Sequence, residues 1–553
     1  MDMKGRSYEH FFFRFVMPHF PSLIFIFALS ILGMLFAFLS PLLTKSLVDD
    51  VFIGKRDDLL GYILLGTAGI YIVSSISDYL SSYLRGKLDL IIFKDVAEET
   101  FNAILLGSLR KTQEMKIGDL LSRIMGNTRS AVYISTYIVP EFAMNALRII
   151  GPFFIMLFLN PQLALIVLIP VFFISLSSSF FGNRLERKQK ASLVRIASLY
   201  SLLKENLSMI PLIKVFGLEM WSRNKFCDQL NDYCDISLDC TKNSSLTTSI
   251  GTLIYGMPII LLILFGGPMV IQGSLSLGTF TAFMSYVALF FSPLSQLSYL
   301  WTSYKSSAPS FDRVNEIFQL EQDSNGNKRL IVNDGIIRFD NVWFSYDNRY
   351  ILKGFNATFA KGLNYIVGDN GTGKSTILKL LCTLYPVDKG HITIDGLEIT
   401  DIKRNDLRKN ISMIFSDPYL FDGSIYENIH IGDLAASREK VIHAARLVCA
   451  HEFISSSPKG YETNIGENGL KLSSGEKQKI ALARAILKNS PIILLDEVTK
   501  SIDAESRKLF DDVLMRLKND KTIIIITHDL NNIRSNSNVV HIEFDHFKID
   551  SSI

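Results

Sequence analysis

Six stretches of this chain, near residues 22–43, 59–83, 138–159, 162–181, 246–270 and 277–299, are apolar and almost free of charge. About twenty such residues in a helix cross the hydrocarbon of a bilayer, and only structures that satisfy every backbone N–H and C=O internally are tolerated there. The runs are too long for buried strands and too many for one soluble core. Hydrophobic residues make up 48% of the chain and charged residues 20%, with the apolar share concentrated before about residue 300. The sequence therefore predicts an all-α six-helix membrane domain, with a second domain of different character behind it.

The connections predict the sidedness. About 50 residues separate the second and third runs and about 60 the fourth and fifth, whereas the other three connections are short. Residues 182–245 hold ten Lys or Arg and residues 84–136 hold eight, against three in 44–58. The positive-inside bias places the long connectors and both termini in the cytoplasm, as expected of a multi-pass protein of the cell (inner or plasma) membrane. Both connectors continue their neighbouring runs with helix-forming sequence, so long cytoplasmic helical extensions are expected. Lys4, Arg6 and Arg14 precede the first run, which is longer than a secretory core, lacks a small-residue cleavage site and should be retained. Phe11, Phe12, Phe13 and Phe15 beside Arg14 and His19 suit a short interfacial helix within 1–20.

Near 322–329 the apolar pattern gives way to Asp, Ser, Asn, Gly and Lys. The expected division is a membrane domain over 21–315, a linker over 316–333 and a second domain over 334–553. Strand-like runs at 363–367, 411–415, 492–495 and 522–527 alternate with helical stretches, which is α/β patterning. The net charge of +3 includes no long basic run, so nothing points to nucleic acid. Cys227, Cys234, Cys240, Cys382 and Cys449 are odd in number and match no common zinc spacing; they are read as reduced thiols.

The segment Gly368-Asp369-Asn370-Gly371-Thr372-Gly373-Lys374-Ser375-Thr376 has the glycine, four-residue gap and Gly-Lys-Ser of a phosphate-binding loop. A strand-like lead-in and a helical exit allow its backbone amides to wrap phosphate at a helix N-terminus, and they argue against a glycine-rich turn without function. Lys374 is expected to pair with the β and γ phosphates and Ser375 to hold Mg²⁺. Farther on, Ile492 to Leu495 read as a buried parallel strand ending in Asp496 and Glu497. Asp496 is the candidate for Mg²⁺ through water and Glu497 for the base that polarises the attacking water; two acids merely ending a strand are the alternative. His528 ends a further buried strand, and on its own a satisfied core histidine would explain it equally well.

Together with Leu472-Ser473-Ser474-Gly475-Glu476, placed 98 residues after Lys374 and 24 before Asp496, these pieces resemble the ATP-binding cassette (ABC) transporters. Six runs followed by one α/β P-loop ATPase domain resemble an exporter-type half-transporter, and the likeness covers nearly the whole chain. The resemblance implies ATP and Mg²⁺ as ligands and a dimer with two ATP sites. It implies that Tyr346 stacks on adenine, that Ser473, Ser474, Gly475 and Glu476 face the partner's phosphates, and that His528 contacts the γ-phosphate. It matches Ser501 and Asp503 to the loop after the catalytic glutamate, 463–469 to a segment coupling the two domains, and 117–124 and 205–214 to the stretches around the coupling helices. Two departures stand out: Ser416 occupies the place of a metal-binding glutamine, and Ser474 and Glu476 replace a glycine and a glutamine. A homodimer is favoured, with a heterodimer open. Export of a peptide or amphipathic natural product is expected, from Ser74, Ser75, Ser77, Asp78, Tyr79, Ser81, Ser82 and Tyr83 in the second run and Ser175, Ser177, Ser178 and Ser179 in the fourth. Interhelical bonding is the alternative for any one serine. A lipid or multidrug exporter, and an ATP-gated regulator without pumping, are the other readings. No cysteine-protease stretch precedes the first run, so a peptide cargo is expected to lose its leader elsewhere.

Overall fold

The computed structural model describes residue 9 and residues 11–115, 117–320, 326–346, 349–498, 504–528, 533–534, 537–543 and 546–550. Ser501 and Asp503 lie outside these, as do the side chains of Ser175, Ser177, Ser178 and Ser179. The chain forms two compact units, residues 1–102 with 117–319 and residues 103–116 with 320–553.

The first unit is helical. Its main helices are α1 (Phe20–Ser46), α2 (Asp58–Leu106), α4 (Val139–Leu159), α5 (Pro161–Val167), α6 (Ile169–Ser208), α7 (Glu219–Ile271), α8 (Leu277–Ser307) and α9 (Pro309–Phe318), while the short α3 (Leu109–Glu114) belongs to the second unit. At 1.5 Å per residue, the 49 residues of α2 reach about 74 Å, more than twice a bilayer's hydrocarbon. The apolar window of α2 is only 11% buried, an exposure that hydrocarbon tolerates and water does not. Among the described residues, five helices have the length and composition to cross a membrane. The fourth apolar run departs from the expected continuous helix: α5 and α6 divide it at Leu168. Pro170 has no N–H to continue the ladder, and the turn is bridged by Leu168 N–H to Leu165 O and Val171 N–H to Leu168 O. Asn160 starts α5 by accepting from Leu163 N–H at 3.1 Å, with Pro161 at the first helical position.

Close packing accounts for three of the second-run serines. Ser77 and Ser81 are buried, Ser74 donates to Gly33 O at 3.2 Å, and a Cβ on Gly33 would lie 3.1 Å from that of Ser77. Small residues here allow α1 and α2 to approach closely. Ser75, Asp78, Tyr79, Ser82 and Tyr83 remain exposed. The N-terminal aromatics are partly internal, with Phe11 edge-on to Phe311 and Phe15 stacked on Phe318.

The second unit holds two sheets. One is four-stranded and antiparallel, in the order β2 (Tyr350–Phe359), β1 (Ile337–Ser345), β4 (Lys389–Ile394), β5 (Leu397–Glu398). The other runs β10 (His546–Asp550), β9 (Asn538–Glu543), β3 (Gly362–Gly368), β8 (Thr522–Ile526), β7 (Ile492–Asp496), β6 (Ile411–Ile414), parallel except at the β10 edge. Strand residues alternate between two cores: Ile366, Leu494, Ile524 and Val540 enter one, while Val367, Ile493, Ile525 and Val539 enter the other. Parallel register pairs Ile366 with Ile526 and Asp496 with Ile526, so the polar ends of β3, β7 and β8 emerge along one sheet edge.

Candidate functional site

The loop after β3 leads into α10 (Lys374–Leu381), anchored by Ile377, Leu378, Leu380 and Leu381 in the core. Gly373 takes a left-handed φ of 94°, and a Cβ there would lie 2.6 Å from Ile351 Cγ2. At Gly368 a Cβ would lie 2.2 Å from Ile542 O. Only glycine fits these two positions, and the resulting turn bares backbone N–H groups ahead of a helix N-terminus. Thr372 Oγ1 closes the turn by donating to Asp369 O at 2.9 Å; Asn370 and Gly371 form its exposed crest. The Lys374 ammonium folds back to donate to Gly368 O and Asp369 O, both at 2.7 Å. Burial holds its pKa below the ordinary lysine value.

Ser375 Oγ donates to Asp496 Oδ1 at 2.9 Å, joining the loop to the end of β7. Burial raises the Asp496 pKa, the Ser375 bond opposes this, and the Glu497 charge adds to it. Glu497 follows in a left-handed conformation with φ of 51°, its N–H donating to Ile526 O at 3.2 Å. That twist turns its side chain away from the strand's regular alternation, and its carboxylate hydrogen-bonds His528 Nε2. Thr376 Oγ1 lies 3.3 Å from the Tyr346 hydroxyl. Lys374, Ser375, Thr376, Asp496, Glu497, His528 and Tyr346 are thus linked around one edge. These residues fit a triphosphate with a divalent cation: carbonyls that phosphate oxygens would replace at Lys374, a buried carboxylate, and a hydroxyl beside it.

The signature segment is built separately. Ser473 caps α11 (Ser474–Lys488), accepting from Glu476 N–H at 3.3 Å. In return Glu476 Oε2 accepts from Ser473 N–H and from Ser473 Oγ, both at 2.8 Å. The Glu476 carboxylate is therefore tied to the cap rather than projecting freely. Ser474 and Ser416 line a cavity of about 120 Å³ with Asp417, Pro418, Leu472, Lys477 and Gln478. The Ser416 carbonyl accepts from Gln478 Nε2 at 2.6 Å, so Ser416 is brought to the signature helix.

Sequence reasoning missed three supports. Gln478 is one; its place on the buried side of α11, one turn beyond Ser474, was an available signal. Arg110 and Gln113 on α3 are the others: Arg110 donates to Tyr346 O at 3.0 Å, and the Tyr385 hydroxyl donates to Gln113 Oε1. Tyr385 in turn meets Tyr346 edge to face, with centroids 5.1 Å apart. No local sequence signal pairs residues 236 positions apart.

Residues 23–294 match the family model described as the ABC transporter transmembrane region, and residues 352–500 match that described as ABC transporter. The chain is 30% identical over 502 residues to an "ATP-dependent lipid A-core flippase" of Syntrophus aciditrophicus (strain SB), covering 90% of this chain and 84% of that protein. It is 31% identical over 517 residues to a Bacillus subtilis (strain 168) protein, YgaD, named as a candidate multidrug export ATP-binding/permease protein, covering 91% and 89%. Its fold matches a bacterial Atm1-family ABC exporter solved with ATP bound, with a TM-score of 0.81 at 24% identity over 95% of this chain and 94% of that one.

Proposed function

This chain belongs to the ABC transporters as an exporter-type half-transporter, and on that premise we propose that two copies couple ATP hydrolysis to outward movement of an amphipathic solute. The observation that carries the reading is the joining of Ser375 to Asp496, with Glu497 and His528 paired alongside, at the C-terminal edge of a parallel sheet. Lys374 exchanges its two carbonyl partners for β- and γ-phosphate oxygens. Ser375 and Asp496 would hold Mg²⁺, which when bound would supply neutralisation of the charge on the phosphate oxygens. Glu497 orients and deprotonates the attacking water, and His528 fixes that carboxylate and reaches the γ-phosphate. Tyr346 offers its ring to adenine.

Each chain has one phosphate loop and one signature, so a second copy is needed to sandwich each nucleotide between Lys374 of one and Ser473 of the other. The Lys and Arg excess of the long connectors supports a cytoplasmic ATPase domain in the cell membrane. Relatives named for a lipid and for drugs support an amphipathic cargo, with a peptide or natural product as its first chemical class. Purified full-length protein in proteoliposomes should hydrolyse Mg-ATP, and Glu497→Gln should lower the rate by about 100-fold or more while ATP still binds. Equal rates would remove Glu497 from the mechanism.

A further inference from the structure

Within the first unit, α4 carries a polar stripe inside an apolar run. Glu141, Asn145 and Arg148 recur at four and three residues, which places them within about 60° of one another around the helix. Ile150 and Phe154 occupy the opposite side and are 49% and 55% exposed. The stripe therefore faces away from the surface that lipid would cover, as ionisable groups in membrane spans do.

The charges on this stripe do not cancel. Glu141 Oε2 accepts from Arg85 at 2.9 Å and Glu141 Oε1 accepts from Arg148 at 2.7 Å, so one carboxylate serves two guanidiniums. Neighbouring Asp89 is already taken: it pairs with Arg129 at 2.6 Å and accepts from Thr136 at 2.7 Å. One positive charge is left over. Of the two guanidiniums Arg148 is the more accessible, its side chain 34% exposed against 17% for Arg85 and 11% for Glu141. Arg85 also lies over the Tyr137 ring at 5.5 Å, and Tyr137 stacks on Tyr133 at 4.9 Å, giving the cluster an aromatic wall. Asn145, fully buried on the same stripe, has neither amide atom hydrogen-bonded among the described residues. A buried amide without partners costs free energy that a ligand or an ordered water recovers.

The geometry points to a solute site at Arg148, Arg85 and Asn145 that takes the phosphate or carboxylate group of an anionic amphiphile. A guanidinium fork matches either oxyanion, Asn145 supplies a further donor, and the tyrosine pair packs against the adjoining apolar part. The inference deepens the proposed transport of an amphipathic solute, but its test needs no hydrolysis.

Full-length protein in phosphatidylcholine nanodiscs is titrated without nucleotide, with empty discs as reference, against dodecyl phosphate, dodecyltrimethylammonium and inorganic phosphate. Dodecyl phosphate should bind at least ten-fold more tightly than either of the others. Arg148→Gln should weaken dodecyl phosphate at least ten-fold, Arg148→Lys should restore most of the loss, and Glu141→Gln, which adds a net charge, should tighten binding several-fold. Equal binding of the two amphiphiles overturns the proposal without any variant being needed. So does inorganic phosphate binding as tightly as dodecyl phosphate, which would make this a free-anion site, and so does an Arg148→Gln effect shared equally by the cationic amphiphile. Loss of ATPase activity with this pattern intact would fault the hydrolytic reading alone.

Discussion

Replacing Glu476 by glutamine separates two effects that the structure assigns to one carboxylate. In each chain Glu476 accepts from both the N–H and the hydroxyl of Ser473 at 2.8 Å. A neutral amide keeps the shape of this cap but loses its charge assistance and its favourable place at the N-terminus of α11, about 1 kcal/mol in all. ATP-driven closure runs the other way. In the proposed dimer Ser473 would give its hydroxyl to the partner's γ-phosphate, so the wild type would break the stronger bond and leave a carboxylate near that phosphate. At about 6 Å and an effective dielectric of about 20, the repulsion is roughly 3 kcal/mol per charge pair, and solvent at this half-exposed position reduces it to about 1–2 kcal/mol. Together the two terms favour closure of the glutamine variant by about 2–3 kcal/mol per site, or roughly 30- to 160-fold in ATP affinity. The assay is closure against ATP concentration, read by spin-label distances in the full-length dimer with Glu497→Gln to block turnover. Half-saturating ATP should fall at least ten-fold while thermal stability drops by a few degrees. An unchanged or higher half-saturating concentration would refute the reasoning, because no loss of capping can mimic a gain in affinity.

Arg110→Ala removes the guanidinium that holds the Tyr346 carbonyl; half-saturating ATP should rise about five-fold, from about 1 kcal/mol of lost positioning, with tripolyphosphate binding unmoved. Asp496 has a raised pKa when folded, so in the protein free of metal and nucleotide the stability cost of its charge grows as pH rises through that value; thermal unfolding against pH, with Asp496→Asn as reference, should show this. Ser375→Ala deletes the bond that opposes the shift, so in the metal-free protein that stability window should move to higher pH. In a double-mutant cycle, Ser416→Gln and Glu476→Gln should be non-additive in half-saturating ATP by at least about 0.5 kcal/mol, and simple additivity would show the two sites to be independent.

The ATPase domain was readable because its strands are apolar runs that stop where polar chemistry starts, and burial on both faces leaves such strands little choice of residue. Val367 followed by Gly368, and Leu495 followed by Asp496, mark both the strand ends and the site. The membrane half was readable in outline and not in detail. A twenty-residue average hides single residues, so the break at Leu168 passed unnoticed although Pro170 signalled it, and Glu141 and Arg148 were absorbed into an apolar span. Composition alone points the serines of the second run toward a polar cargo. Three of them serve helix packing instead, since a small hydroxyl suits close approach as well as it suits water. Contacts such as Arg110 to Tyr346 arise only when the fold brings distant segments together, and no periodicity encodes them.

The two departures from the family pattern look unrelated in the sequence, about 60 residues apart. In the fold both act on the start of α11. Ser416 presents its carbonyl to Gln478 and, with Ser474, lines the cavity beside that helix, while Glu476 occupies the helix cap. The Gln478 carbonyl oxygen is buried and lacks a hydrogen-bond partner among the described residues. A cavity of this size, lined by hydroxyls and an amide, has room for water to supply the missing donor. Serine at 416 thus stands where a longer side chain would fill part of this cavity, and glutamate at 476 makes the cap a charged one. The first leaves a cavity beside the signature helix, and the second ties Ser473 to a charged cap. In the proposed dimer both would bear on one step, the engagement of one chain's signature by the other chain's nucleotide, and neither touches Glu497 or His528. Their combined effect therefore belongs in the ATP concentration needed for closure, with the rate of cleavage in the closed state set elsewhere.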